Sequence, residues 1–309
     1  MAFPSILKSQ LTCKQGAVRA VRFNVDGNYC MTAGSDKSVK LWNPYKSVLL
    51  KSYLGHGYEV LDVQSSSDSA HIASGGMDKC VFYWDVSTAQ IVRKYRGHAS
   101  FVNAVKFNEE STVILSASVD NTVCAWDCRS KSREPIQIIR DAKDSVTSIS
   151  VSDHEILTGS LDGCIRRYDL RKGQLYQDSL GCSINCVTFT KDDQCVLASC
   201  LDNTLRLVDK DGGEVLSEYV GHKNERYRIE SCLNNADTLV VSGSEDGCIY
   251  AWDLIEGTVK STLKHPGHKV VHSVSFHPTQ PILISAAEAN VYLWVDSEFK
   301  QSEDEEDND

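Results

Sequence analysis

Residues 101–127 set the pattern for the whole chain. Phe101-Val102-Asn103-Ala104-Val105-Lys106-Phe107 alternates apolar and polar side chains, the period-two spacing of a strand with one face buried. Asn108-Glu109-Glu110-Ser111 has turn composition, and residues 112–116 form a mostly apolar second strand. Asp120-Asn121 marks a second turn, and residues 123–127 form a third strand ending in Trp126-Asp127. A fourth, outer strand leads to the next copy. Connections this short join antiparallel neighbours, so no helix is required.

The pattern returns along the whole chain. Its markers Trp42-Asn43, Trp84-Asp85, Trp126-Asp127, Tyr168-Asp169, Val208-Asp209, Trp252-Asp253 and Trp294-Val295 stand 40 to 44 residues apart. A period of roughly 40 to 45 residues, marked by an aromatic followed by Asp and preceded by Gly-His, predicts four-stranded propeller blades. The fold class is therefore all-β, a seven-bladed β-propeller filling residues 1–300. Its blades fall at about 17–54, 58–96, 101–140, 145–180, 183–220, 226–264 and 270–298. The last copy lacks an outer strand, whereas residues 5–12 have the composition of one. The N-terminal segment is predicted to complete blade 7 and close the ring, removing exposed sheet edges. Deleting residues 1–12 should then lower the melting temperature.

Composition narrows the function classes. No apolar run approaches the roughly 20 residues of a membrane-spanning helix, and the first ten residues lack the layout of a secretory leader. The net charge is −10, and six of the acidic residues fall in 302–309, leaving a body near −4. Residues 301–309 read as a disordered acidic tail. An acidic body argues against a nucleic-acid footprint. Arg166, Arg167, Arg171 and Lys172 form one dense basic cluster, read as solvated edge positions. The twelve cysteines show no paired C-x2-C motif and no His cluster that would complete a zinc site, so they read as free thiols in a reducing, intracellular compartment.

Four markers recur together: an entry-loop His, a Ser or Thr on the second strand, an Asp in the next turn and an aromatic on the third strand. By these the chain resembles the WD-repeat family over residues 5–298. The resemblance implies a buried hydrogen-bonded tetrad per complete blade: His56, Ser74, Asp78 and Trp84 in blade 2; His98, Ser116, Asp120 and Trp126 in blade 3; His222, Ser242, Asp246 and Trp252 in blade 6. Such sets mimic Ser-His-Asp hydrolases, but repeated equivalent copies suit a structural role better than a single exposed nucleophile. Other blades depart from the pattern. Blade 1 has Thr32, Asp36 and Trp42 without Gly-His; blade 4 has Thr158, Asp162 and Tyr168; blade 5 retains only Asp202; blade 7 has His268, Ser285 and Trp294 without the turn Asp. Blades 4, 5 and 7 are accordingly expected to be looser.

With the interior structural, partners must read the rims. Tyr58, Met77, Phe101, Val119, Leu161, Leu201, Arg226 and Glu245 are the candidate partner-binding face, because apolar loop tips have no core of their own to fill. On other edges, Trp126-Asp127-Cys128-Arg129 and Tyr168-Asp169-Leu170-Arg171 resemble the W-D-x-R docking motif of WD-repeat substrate receptors in cullin-type ubiquitin ligases, which makes Arg129 and Arg171 possible adaptor contacts. Residues 15–30, 55–62 and 151–157 resemble a branch of the family that gathers mitogen-activated protein kinase cascade components and associates with spliceosomal complexes. That resemblance implies a monomeric cytoplasmic and nuclear scaffold with protein partners. No catalytic residue, cofactor, metal, membrane or direct nucleic-acid contact is expected.

Overall fold

Six turns carry the same device. The Oδ1 atoms of Asp36, Asp78, Asp120, Asp162, Asp202 and Asp246 accept the backbone N–H two residues on, at 2.9 to 3.3 Å. The residue after each Asp (Lys37, Lys79, Asn121, Gly163, Asn203, Gly247) has φ between 63° and 83°. The Asp side chain thus fixes a three-residue hairpin that ends in the left-handed region, and this explains its periodic recurrence. Gly247 is required as well as permitted, since a Cβ there would lie 2.7 Å from the His268 carbonyl carbon.

A computed structural model describes residues 3–296. The N-terminal strand β1 (Ile6–Thr12) precedes blade 1, formed by β2 (Val18–Phe23), β3 (Cys30–Gly34), β4 (Ser38–Asn43) and β5 (Val48–Leu54). Blade 2 comprises β6 (Val60–Ser65), β7 (His71–Gly76), β8 (Cys80–Asp85) and β9 (Ile91–Arg96). Blade 3 comprises β10 (Val102–Phe107), β11 (Val113–Ser118), β12 (Val123–Asp127) and the short β13 (Gln137–Ile139). In blade 4 the strands are β14 (Val146–Val151), β15 (Glu155–Ser160), β16 (Cys164–Asp169) and β17 (Gln174–Ser179). Blade 5 contains β18 (Ile184–Phe189), β19 (Cys195–Cys200), β20 (Thr204–Asp209) and β21 (Val215–Val220). Blade 6 contains β22 (Ser231–Leu233), β23 (Leu239–Ser242), β24 (Cys248–Asp253) and β25 (Val259–Lys264). Blade 7 contains β26 (Val271–Phe276), β27 (Ile282–Ala287) and β28 (Asn290–Val295).

The chain is an all-β, seven-bladed propeller. Blade 7 takes its outer strand from β1, which pairs antiparallel with β28 from Ile6↔Val295 to Thr12↔Asn290. The shortened turn of blade 7 joins the same seam, because the carbonyls of Glu288 and Ala289 accept the N–H groups of Val18 and Cys13. The proposed acidic tail, 301–309, and the end of the expected seventh blade lie outside the described residues.

Among the described residues, buried side chains form seven clusters, each shared by two neighbouring blades. Trp84, Trp126 and Trp252 are fully buried in three of them. At the centre, side chains on innermost strands link one blade to the next. Asp62 accepts the Val105 N–H at 3.0 Å, Ser148 the Val187 N–H at 3.2 Å, and Ser273 the Val21 N–H at 3.0 Å. The channel also holds a charged bridge spanning non-adjacent blades. Arg22 contacts Glu230 at 2.5 Å and Asp62 at 3.1 Å, and Arg228 meets Glu230 at 3.2 Å.

Candidate interaction face

Blades 2 and 3 form the expected tetrads. His56 Nδ1 lies 3.0 Å from Asp78 and Nε2 2.8 Å from Ser74 Oγ, which also accepts Trp84 Nε1–H at 2.8 Å. His98 repeats this with Asp120 at 3.0 Å, Ser116 at 2.7 Å and Trp126 at 2.8 Å from Ser116. The arrangement has the connectivity of a hydrolytic triad, but Ser74 and Ser116 are 0% exposed and each hydroxyl is already committed to a Trp. No substrate atom can reach them. Burial opposes the charge on His98, yet its hydrogen bond to Asp120, together with Cys124 beside it, raises its pKa to about 9.

Blade 6 does not form the expected tetrad. Both ring nitrogens of His222 are buried without a partner, and burial lowers its pKa to about 4. Trp252 Nε1–H instead bonds the Val220 carbonyl at 2.9 Å, Ser242 bonds the Gly243 carbonyl at 3.0 Å, and Asp246 accepts the Tyr250 hydroxyl at 2.7 Å. Tyr250 stands four residues after the turn Asp, where its side chain competes for the carboxylate His222 would need.

Blade 7 requires a second correction. His265, not His268, meets Ser285, at 3.0 Å, and Trp294 bonds the same hydroxyl at 2.8 Å. His268 is exposed. The Gly267-His268 pair imitates the marker, but the entry loop is longer in this blade, so the functional histidine lies earlier.

Three substitutes for the histidine were not visible as such in the repeat. In blade 1, Gln15 accepts the Thr32 hydroxyl and donates to the Ser38 carbonyl at 3.0 Å, while Trp42 donates to Thr32 at 3.0 Å. In blade 4, Arg166 pairs with Asp162 at 2.7 Å and bonds Ser160 at 2.8 Å; in blade 5, Arg206 pairs with Asp202 at 2.7 Å. Arg166 and Arg167 are thus buried ion-pair partners rather than solvated edge positions, Arg167 meeting Glu155 at 2.7 Å. The available signal was the residue four after the turn Asp: Lys40, Arg166, Arg206 and Tyr250 all reach that carboxylate, at 3.6 Å or less. The missing histidine therefore supplies no reason for blades 4 and 5 to be loose.

The candidate tips are held firmly on one face. Backbone N–H groups of Met77, Val119, Leu161, Leu201 and Glu245 bond the entry-loop carbonyls of Glu59, Phe101, Ser145, Ser183 and Lys223 at 2.9 to 3.0 Å. Tyr58 is 64% exposed and Phe101 41%, Val119 is exposed at its margin, and Met77, Leu161 and Leu201 are half-buried. Met77 and Phe101 line a hollow of about 380 Å³ at the channel mouth, together with Leu61, Tyr227, His272, Arg19 and Arg228. Tyr58, Val119, Leu161 and Leu201 flank the face without lining this hollow. Glu245 has a different task, since its Oε1 accepts the N–H groups of Glu225, Arg226 and Tyr227 at 2.6 to 3.1 Å. It shapes the loop that exposes Arg226 and places Tyr227 over the hollow. On other edges, following β12 and β16, the side chains of Arg129 and Arg171 are 75% and 67% exposed, and Arg171 pairs with Asp153 at 2.9 Å.

Comparison with known proteins agrees with this architecture. The model of the WD domain, G-beta repeat, matches residues 6–43, 47–85, 89–127, 133–169, 174–209, 213–253 and 257–295. Each match begins at or just before an outer strand and ends on the third strand of the next blade, so the sequence repeat is offset from the structural blade, and β1 opens the first copy. The chain is 62% identical over 290 residues to a Rattus norvegicus protein named WD repeat domain-containing protein 83, covering 94% of this chain and 92% of that one. Its Homo sapiens counterpart is 60% identical with the same coverage. A Dictyostelium discoideum homolog of that protein is 37% identical, covering 93% of this chain and 97% of the relative. With its seven repeats matched from residue 6 to 295, the chain belongs to the WD40 repeat family.

Proposed function

We propose that this propeller is a non-enzymatic scaffold that gathers components of a mitogen-activated protein kinase cascade and also associates with spliceosomal complexes, in the cytoplasm and the nucleus. WD40 propellers generally mediate protein–protein interactions, and the segments 15–30, 55–62 and 151–157 resemble the mitogen-activated protein kinase organizer. The observation that carries the interaction reading is the channel-mouth hollow. Phe101, Met77 and Tyr227 on loop tips and Leu61 on β6 border a cavity of about 380 Å³, whose other walls are Arg19, Asn103, Arg228, Glu230 and His272. Apolar and aromatic groups held in place around a concave surface favour a docked side chain from a partner. The test is proximity labelling with the intact chain and with a Phe101→Asp, Leu161→Asp variant that retains its melting temperature. Kinase-cascade and splicing components should fall together in the variant. An unchanged neighbour profile would refute the reading.

A second reading rests on the exposure of Arg129 and Arg171 on neighbouring blades, which suits the adaptor of a cullin-type ligase. Alanine substitution of both would abolish adaptor capture under that reading and leave it unaffected under the first.

A further inference from the structure

Blade 5 contains a pair of thiols that the repeat does not call for. Cys182 sits at the bend before β18, and Cys200 ends β19, where its Cα is in register with Ile184. Their sulfur atoms and a carboxylate oxygen of Asp202 lie within 4.8 Å of one another. Arg206 reaches into the same cluster, with Nη1 2.9 Å from Cys182 Sγ and Nη2 2.7 Å from Asp202. Glu218 holds the other edge of the guanidinium at 2.9 Å, so the cation is fixed against the sulfur.

Blade 4 shows what the positions do without the thiols. There the residue in the place of Cys200 is Ser160, whose hydroxyl takes Arg166 Nη1 at 2.8 Å and donates to Asp162. Blade 5 replaces that serine with Cys200 and adds Cys182 from the entry loop beside an equivalent arginine. A hydrogen-bonding site has been exchanged for a dithiol next to a positive charge.

We propose that Cys182 and Cys200 form a site of reversible oxidation by hydrogen peroxide, Cys182 as the attacking thiolate and Cys200 as the resolving thiol. The Cys182 thiolate attacks one peroxide oxygen; an S–O bond forms, the O–O bond breaks, and the departing hydroxide takes a proton to leave as water. The Cys200 thiol then loses its proton to solvent base and attacks the sulfenic sulfur. The S–S bond forms, the S–O bond breaks, and the oxygen leaves as a second water. Each sulfur loses one electron and the peroxide gains two.

Two independent features support the roles. Cys182 is half-buried, so an oxidant can reach it, whereas Cys200 is 0% exposed and reachable only from Cys182. The Cys182 pKa is lowered, chiefly by the hydrogen bond from Cys200 and less by Arg206, against burial and the neighbouring Asp202 carboxylate. The other two half-buried thiols, Cys195 and Cys232, are shifted upward by burial. Arg206 also speaks against a metal here, because its guanidinium occupies the ground between Cys182 and Asp202 where a cation would sit. The second donor cluster among the described residues, His154, Glu155 and Asp169, is likewise engaged by cations, with Arg167 and Lys210 on Glu155 at 2.7 and 3.0 Å.

The test uses the full chain, reduced and then exposed to hydrogen peroxide at pH 7, with peptide mapping under non-reducing conditions. A Cys182–Cys200 cross-linked peptide that dithiothreitol reverses is expected as the first product. Cys200→Ser, which retains the volume of the buried site, should yield instead a dimedone-trapped sulfenic acid on Cys182. Iodoacetamide should alkylate Cys182 about tenfold faster than Cys195 or Cys232, and Arg206→Gln should remove part of that advantage. Prior oxidation of Cys195 or Cys232, or an identical product from Cys200→Ser, would overturn the proposal. So would stoichiometric retention of zinc that protects both thiols.

Discussion

The Tyr250 hydroxyl donates to the Asp246 carboxylate at 2.7 Å while His222, with Asp246 in its own blade, has no partner on either ring nitrogen. One carboxylate can be satisfied from the entry loop or from the third strand, and in blade 6 the strand has taken it. In blades 2 and 3 the corresponding strand positions are Phe82 and Cys124, and there the histidine prevails.

Removing the competitor should restore the tetrad. Tyr250→Phe is expected to raise the pKa of His222 from about 4 toward or above its ordinary value of 6.5, as Asp246 becomes free to accept its proton. NMR titration of the histidine ring measures this directly. A His222 that still titrates near 4 would show that the loop, not Tyr250, keeps the two apart.

The histidines also give the fold opposing pH dependences. The folded-state pKa of His98 is about 9 against 6.5 when unperturbed, so its contribution is complete below pH 6.5 and is lost as pH rises toward 9. His222, His265 and His272 have folded values near 4, and their contribution is present above pH 6.5 and lost as pH falls toward 4. Urea unfolding should therefore show stability falling on both sides of about pH 6.5, with the alkaline loss on the order of 3 kcal/mol. Asp120→Asn should flatten the alkaline limb and, by leaving His98 buried without its carboxylate, deepen the acid one. A variant with an unchanged alkaline slope would assign that loss to another group.

Across the channel, Glu230 is held well down, to about 2, because Arg22 and Arg228 outweigh the burial that opposes its charge. Glu230→Gln should cost about 3 to 5 kcal/mol by leaving Arg22 buried without its main counter-charge. Arg22→Met in the same chain should recover much of that loss. Denaturant midpoints of the single and double variants measure the coupling, and simple additivity would mean that the bridge contributes nothing specific.

The fold was legible because its signal is redundant. Alternating strands, a turn Asp and a third-strand aromatic recur with one period, and the leftover strand at residues 5–12 had one vacant edge to fill. The tetrads of blades 2 and 3 were legible for the same reason. Blade 6 carries all four marker residues, but Tyr250, a position outside the motif, holds its Asp246 and the tetrad does not form. Blade 7 misleads through a local Gly-His that stands later than the histidine in use. Gln15, Arg166 and Arg206 were hidden because they perform the task with different side-chain chemistry. Arg22 and Glu230 lie 208 residues apart in sequence and meet only across the closed ring, where no local pattern could announce them. Of the candidate face, the loop tips were legible, but the grouping of Met77 and Phe101 with Leu61, Tyr227 and His272 depends on the curvature of the channel mouth.

The two faces provide the most direct test. Partners captured by the intact chain should be measured for affinity against two variants matched in melting temperature, Phe101→Asp with Met77→Asp and Arg129→Ala with Arg171→Ala. The account predicts at least about a tenfold loss of affinity for the first variant, from removing apolar anchors of the hollow, and wild-type affinity for the second. Retained binding by the Phe101 and Met77 variant, with loss on substitution of Arg129 and Arg171, would contradict it.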